Sequence, residues 1–199
     1  MSLRVSKLTT YPVKSLRGLA LQEADLLETG FRHDRAWMLI DDWGSFLSQR
    51  QHPSMALIEV APTSDSLRIA IPDGVTFVVP VIESGPPIEA HVWGHRCVVV
   101  DQGPEASQRL GRYLGRSCRL VRMAPGFRRE LSESYRREGD GPVGFADSMP
   151  FLLTSEASLA DLNGRLSEPV AMNRFRPNIV VDGGTPFQEE SWQRLRIGE

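Results

Sequence analysis

The chain carries two cysteines in 199 residues, Cys97 and Cys118, and no CxxC pair. That scarcity excludes a disulfide-stapled scaffold and the zinc modules built from paired thiolates. Both cysteines lie in apolar, strand-like contexts, HRCVVV and RSCRLV, and are expected as buried free thiols. The histidines are few as well. His33, His52, His91 and His95 show no HExxH spacing, and HVWGH around a Trp-Gly pair is expected as a hairpin feature. No metal ligand and no catalytic residue is assigned from these types. GxGxxG, the P-loop and GxSxG are also absent, which removes dinucleotide-binding, P-loop and serine-hydrolase readings. No apolar run reaches the roughly 18 residues of a membrane span, and MSLRVSKLTTYPVKS lacks the apolar core of a signal peptide. A cytoplasmic location without membrane contact is expected. Neither sign of charge dominates, with 23 Lys+Arg against 25 Asp+Glu and a pI near 6.1, so no global field attracts nucleic acid. Any anion site must be local.

What the chain does have is 41% hydrophobic residues, enough for a sizeable core. Up to residue 123 they fall in short or alternating runs such as VSKLTTYPV, AWMLIDD, SLRIAIP, TFVVPVI and RCVVVD. Turn signals separate the runs: Thr29-Gly30, Asp42-Trp43-Gly44, Pro72-Asp73-Gly74 and Trp93-Gly94. This grammar predicts a mainly β fold, an antiparallel β-barrel domain over 1–123 with one helix over 104–115. Residues 124–146 include the charged stretch GFRRELSESYRREGDGPVG and are expected as a loop or linker. From 147 to 199 the pattern changes. Ser155 is expected to cap a helix presenting Leu159, Leu162 and Leu166, FRPNIVVDG reads as a buried strand, and ESWQRLRIGE as the start of another.

Three spots could carry chemistry. In YPVKSLRG, Pro12 stiffens the approach and Gly18 permits a turn, leaving the Lys14 ammonium and Ser15 hydroxyl at a strand end, a pair that can hold phosphate. A solvated surface lysine is the alternative. In HDRAWML, the Arg35 fork could reach phosphate with Asp34 orienting it, against a plain surface ion pair; Arg50 in FLSQRQHP is a weaker parallel. In RFRPN, Pro177 blocks helix continuation and presents Arg176 and Asn178 from an extended turn, with Arg174 on the same side as Arg176. That triplet reads equally well as structural.

YPVKSLRG, GFRHDRAWMLIDDWGSFLSQRQHPSMALI, PFLLTSEASLADLNGRL and NRFRPNIVVDGGTPFQEESWQRLRIGE, spread over residues 9–58 and 147–199, together resemble the MOSC family. The resemblance implies an N-terminal β-barrel domain followed by an incomplete α+β/β-barrel MOSC domain, truncated at its first elements. It implies a molybdenum-dependent oxidoreductase that reduces N-hydroxylated small molecules, with electrons from a separate donor protein. It also implies a pyranopterin cofactor, Mo-molybdopterin, whose phosphate and pterin groups are held at positions matching Lys14, Ser15, Arg35, Ser148, Arg176 and Asn178, with Met149 beside Ser148. In the family the strand begun at RLRIGE leads on to a cysteine that ligates molybdenum. The chain ends before that position, and neither Cys97 nor Cys118 matches it. As it stands, the chain also reads as a non-catalytic binding module for the cofactor, a phosphorylated ligand or a protein partner.

Overall fold

A computed structural model describes residues 3–137 and 140–198. Glu138 and Gly139, inside the expected linker, and the terminal Glu199 lie outside the described residues. In chain order the elements are β1 (Arg4–Thr10), β2 (Leu19–Leu21), β3 (Leu26–Leu27), β4 (Gly30–Phe31), β5 (Trp37–Ile40), β6 (Glu59–Pro62), β7 (Ser66–Ala70), β8 (Thr76–Pro80), β9 (Ile88–Val92), β10 (His95–Asp101), α1 (Pro104–Leu114), β11 (Arg119–Met123), β12 (Leu153–Ser155), α2 (Glu156–Arg165) and β13 (Ile179–Asp182). The fold is mainly β, as the turn-separated runs predict. Among the described residues no helix is long and apolar enough to cross a membrane.

The chain forms two compact units that interleave in sequence. One comprises Thr10–Leu19 and Asp25–Pro150. Its largest sheet runs β5-β11-β10-β9, all antiparallel, beside the meander β6-β7-β8 and the small hairpin β3-β4. All four residues of β5 are buried, and their alternation feeds two cores. Trp37 and Leu39 enter one, with Leu110, Leu120, Ile69 and Val79. Met38 and Ile40 enter the other, with Val99, Val121 and Phe145. A strand covered on both faces must read as an unbroken apolar run, which is why WMLI shows no polar alternation. Helix α1 starts at Pro104 after Gly103, stops at the left-handed Gly115 (φ 67°), and buries Ala106 and Leu110.

Parts of the segment expected as a linker pack into this unit. Leu131, Val143, Phe145 and Ala146 are buried, and Arg129 pairs with Val143 in an isolated antiparallel bridge. Its charge content hid a few apolar anchors, enough to bury a stretch without regular strands.

The other unit comprises Met1–Thr9, Ala20–Ala24 and Phe151–Glu199. Its sheet runs β12-β13-β1-β2, so the first strand pairs with a C-terminal one, Val5 opposite Val181 and Leu8 opposite Ile179. Such a pairing is invisible to local pattern. Ser155 caps α2 as expected, its hydroxyl accepting from the Ser158 N–H at 3.0 Å. The FRPNIVVDG strand is present, with Val180 and Val181 buried, but Leu166 at the end of α2 is exposed. The strand expected over ESWQRLRIGE is not formed among the described residues: no strand pairs with 190–198, and Leu195 and Ile197 are exposed. A strand needs a neighbour for its N–H and C=O groups.

Candidate functional site

In the larger unit, two tight turns are laced together by main-chain hydrogen bonds. Arg35 N–H donates to Tyr11 O at 2.8 Å, Trp37 N–H to Pro12 O at 3.1 Å, and Lys14 N–H to Trp37 O at 2.8 Å. Phe145 N–H adds a third segment by donating to Arg35 O at 2.7 Å. Gly144 permits this approach, since a Cβ there would stand 2.8 Å from the Arg35 carbonyl oxygen. The lacing holds Ser15 (φ 66°), His33 (φ 67°) and Arg35 (φ 46°) in left-handed backbone. Each such non-glycine residue costs about 1–2 kcal/mol, a strain that surrounding structure must hold and that clusters at functional sites.

Lys14 is not a solvated lysine. Its side chain is 7% exposed, and the ammonium donates to the Phe145 carbonyl at 2.8 Å and to the Asp147 carboxylate. Nζ also lies 5.1 Å from the centre of the Phe46 ring and 5.9 Å from that of Trp93. Burial pulls its pKa from 10.5 down to about 8; Asp147 works against that pull, while Arg129 and Arg35 add to it. Arg35 is also mostly buried. It pairs with Asp34 at 2.5 Å and stacks 4.4 Å over Tyr11, while Asp34 is locked by the Tyr11 N–H at 2.8 Å. Asp34 thus holds the Arg35 guanidinium in place. Ser15 follows Lys14 in the same turn, and Gln49 ties its carbonyl at 2.8 Å. Ser148 is half-buried directly after Asp147, and Met149 is exposed. Arg50 lies outward, its guanidinium 5.1 Å over the Trp93 ring.

Three residues of this cluster were not singled out from the sequence. Arg129 is 6% exposed and donates to the carbonyls of Gly144 at 2.8 Å, Ala146 at 2.7 Å and Asp147 at 3.3 Å. Asp147 accepts from Lys14 and from the Trp93 indole N–H at 2.8 Å. Its partial burial opposes ionisation, but Lys14, Trp93 and Arg35 outweigh that and hold its carboxyl below the ordinary range. Trp93 occupies the first position of the two-residue β9–β10 turn with φ 50°, followed by Gly94 at φ 80°. Such turns favour Asn or Gly there, so a tryptophan was the available signal. The HVWGH hairpin itself is as expected.

Arg176 and Asn178 belong to the other unit, and Arg176 differs from expectation in conformation. Arg176 is left-handed (φ 58°) rather than extended before Pro177, and Met172–Arg174 form a 3₁₀ turn, so two-residue spacing does not align Arg174 with Arg176. Asn178 is 1% exposed, and its amide joins Thr9 O at 3.1 Å to Leu152 N–H at 3.3 Å.

The polar side chains of the larger unit's cluster are mostly cationic donors, Lys14, Arg35 and Arg129. Among the described residues no group of three His, Cys, Asp or Glu side chains could hold a metal ion. Burial pushes the Cys118 thiol up to about 11 and also raises that of Cys97. Both thiols are expected to stay unmodified by a thiol reagent in the native protein and to react on unfolding; native-state labelling of either would contradict this.

The larger unit is a β-rich scaffold that buries an ammonium and two guanidinium groups around strained turns. The chain belongs to the MOSC family: the MOSC N-terminal beta barrel domain matches residues 2–117, and the MOSC domain residues 140–199. It is 34% identical over 206 residues to mitochondrial amidoxime-reducing component 1 of Mus musculus, covering 98% of this chain and 60% of that protein. It is 34% identical over 203 residues to mitochondrial amidoxime reducing component 2 of Bos taurus, with the same coverage of 98% and 60%. To the molybdenum cofactor sulfurase of Arabidopsis thaliana it is 30% identical over 227 residues, 98% of this chain and 26% of that protein. The chain thus spans about 60% of the length of the amidoxime-reducing relatives.

Proposed function

We propose that this chain binds the molybdenum cofactor through the cofactor's phosphate, with Lys14, Ser15 and Arg35 as the primary donors and Ser148 beside them. The observation that carries the reading is the buried Lys14 ammonium, held at a strained turn with the Arg35 and Arg129 charges around it. Asp147 and Asp34 answer Lys14 and Arg35, while Arg129 makes no ion pair among the described residues, so the cluster keeps a positive excess that an added anion would offset. Bound there, the cofactor supplies the redox chemistry; the chain's own residues neutralise its phosphate and fix its position. In the complete protein, the proposed activity is reduction of N-hydroxylated small molecules, with a separate electron-donor protein and a cytoplasmic site of action. The names of the amidoxime-reducing relatives support the reaction class. The sulfurase relative supports a second reading, a cofactor-binding module without its own reductive step, because there the matched region is 26% of a longer protein.

The pH dependence of binding tests the site. Lys14 is charged below about 8 and neutral above it. Affinity for a phosphate-bearing pterin should therefore fall as pH rises above 8, approaching roughly tenfold per unit. Titration calorimetry across that range measures this. A flat profile would remove Lys14 from the binding contacts.

A further inference from the structure

We propose that Arg129 is the positioning residue of the phosphate site, holding the Phe145 carbonyl and Asp147 where they aim the Lys14 ammonium. The inference rests on the phosphate-binding reading of Lys14 given above.

Residues 143–147 form a wall of the site without helix or strand beyond one isolated bridge, so their main-chain groups need partners from elsewhere. Arg129 supplies them from both its main chain and its side chain. Its carbonyl accepts from the Val143 N–H at 2.9 Å. Its guanidinium donates through Nη1 to Gly144 O at 2.8 Å and Ala146 O at 2.7 Å, and through Nη2 to Asp147 O at 3.3 Å. The residue is 6% exposed, and burial pulls its pKa below the ordinary range, a cost that these charge-assisted bonds offset. Arg129 thus grips residues 143, 144, 146 and 147 and leaves the Phe145 main chain to the site. There the Phe145 N–H donates to Arg35 O at 2.7 Å, and its carbonyl accepts from Lys14 at 2.8 Å.

The consequence falls on Lys14. An ammonium has three N–H groups and turns about its last bond unless acceptors stop it. Phe145 O and the Asp147 carboxylate take two of them, which sets the direction of the third. Both acceptors belong to the segment that Arg129 grips. A phosphate oxygen meeting the third N–H finds a donor already aimed, with neither a rotamer nor a segment left to order on binding. The planar fork of an arginine can reach three carbonyls from one side chain, whereas a lysine offers a point charge with tetrahedral donors. The site therefore uses the fork of Arg129 as well as its charge.

Arg129→Lys keeps the charge and loses the fork, so it separates the two. In the ligand-free chain, Lys14 titrates at about 8. Followed by side-chain NMR, its midpoint should rise by about one pH unit or more in Arg129→Lys, toward the value of a hydrated lysine, as the loosened segment lets water reach the ammonium. Calorimetric titration with the intact molybdenum cofactor at about pH 7, where Lys14 is charged in both proteins, should show Arg129→Lys binding at least about tenfold more weakly. In a Lys14→Met background the same substitution should change affinity by less than about twofold, because no ammonium is left to aim.

An unchanged Lys14 midpoint in Arg129→Lys overturns the positioning role. So does a loss of affinity that persists undiminished in Lys14→Met, which would give Arg129 its own contact with the anion. Should Arg129→Lys not fold, Arg129→Gln takes its place in the cycle, and at least about half of its loss in binding free energy should vanish with Lys14. Loss of fold in both variants makes Arg129 a structural support and overturns the proposal. No cofactor binding by wild type, with the Lys14 midpoint shifted as expected, leaves Arg129 as the residue that positions Lys14 and removes the phosphate-binding reading instead.

Discussion

Replacing Lys14 with methionine should weaken binding of a phosphate-bearing pterin by roughly a hundredfold while leaving the protein at least as stable as before. The two halves of this expectation have separate causes. Removing one member of a buried, charge-assisted contact costs about 2–5 kcal/mol of binding, and here Asp147 is also left facing the incoming anion without its partner. Stability responds differently because the folded protein carries the desolvation cost of that ammonium, visible as its depressed pKa. Methionine fills a similar volume beside Phe46 without a charge to desolvate. Because the Asp147 side chain left behind is 62% exposed and can be hydrated, that gain should outweigh the lost contacts to Asp147 and the Phe145 carbonyl. The sign with pH follows from the same shift. The unfolded chain keeps the Lys14 proton up to 10.5 and the folded chain only to about 8, so this group's contribution to stability climbs between those values. Below 8 the cost of the buried charge is carried in full. Thermal melts of wild type and Lys14→Met should therefore converge as pH rises from about 8 toward 10. A variant that loses binding together with several degrees of melting temperature at neutral pH would assign Lys14 a structural role instead.

Trp37→Ala should produce the largest loss of stability of any single substitution near the site. The indole is 1% exposed in the first core, where it packs with Leu39, Leu110 and Leu120, and its N–H reaches Gln102 at 3.4 Å. Truncation leaves a cavity that the close-packed strands cannot refill, a loss of about 3–5 kcal/mol. For a chain of this size that lowers the melting temperature by roughly 10 °C. The effect reaches the site through the main chain, because the same residue accepts from the Lys14 N–H and donates to Pro12 O. Trp37→Phe, retaining most of the ring volume, should recover most of the loss. A melting temperature within about 3 °C of wild type for Trp37→Ala would show that this core repacks freely.

The same residues show what local pattern can and cannot carry. The turns at Gly30, Gly44, Gly74 and Trp93-Gly94 were legible because each needs positive φ, and α1 was legible because Pro and Gly bracket it. Lys14, Ser15 and Arg35 were nameable as candidates for phosphate contact from residue type and turn context. Their burial was not, since it depends on Phe145 and Asp147, more than a hundred residues away, docking through Gly144. Arg129 was lost for a related reason: in a charged stretch, one arginine that turns inward to three carbonyls looks like its exposed neighbours. The pairing of β1 with β13 likewise depends on sequence separation, and no periodicity within either strand announces it.

The proposed binding mode makes the phosphate the handle by which the chain would hold the molybdenum cofactor. It is tested most directly by equilibrium binding of the intact molybdenum cofactor and of the same cofactor after enzymatic removal of its phosphate, measured on the wild-type chain at neutral pH. The dephosphorylated form should bind at least about thirtyfold more weakly, the loss expected when charged donors are left without their anion. Equal affinity for the two forms would contradict it.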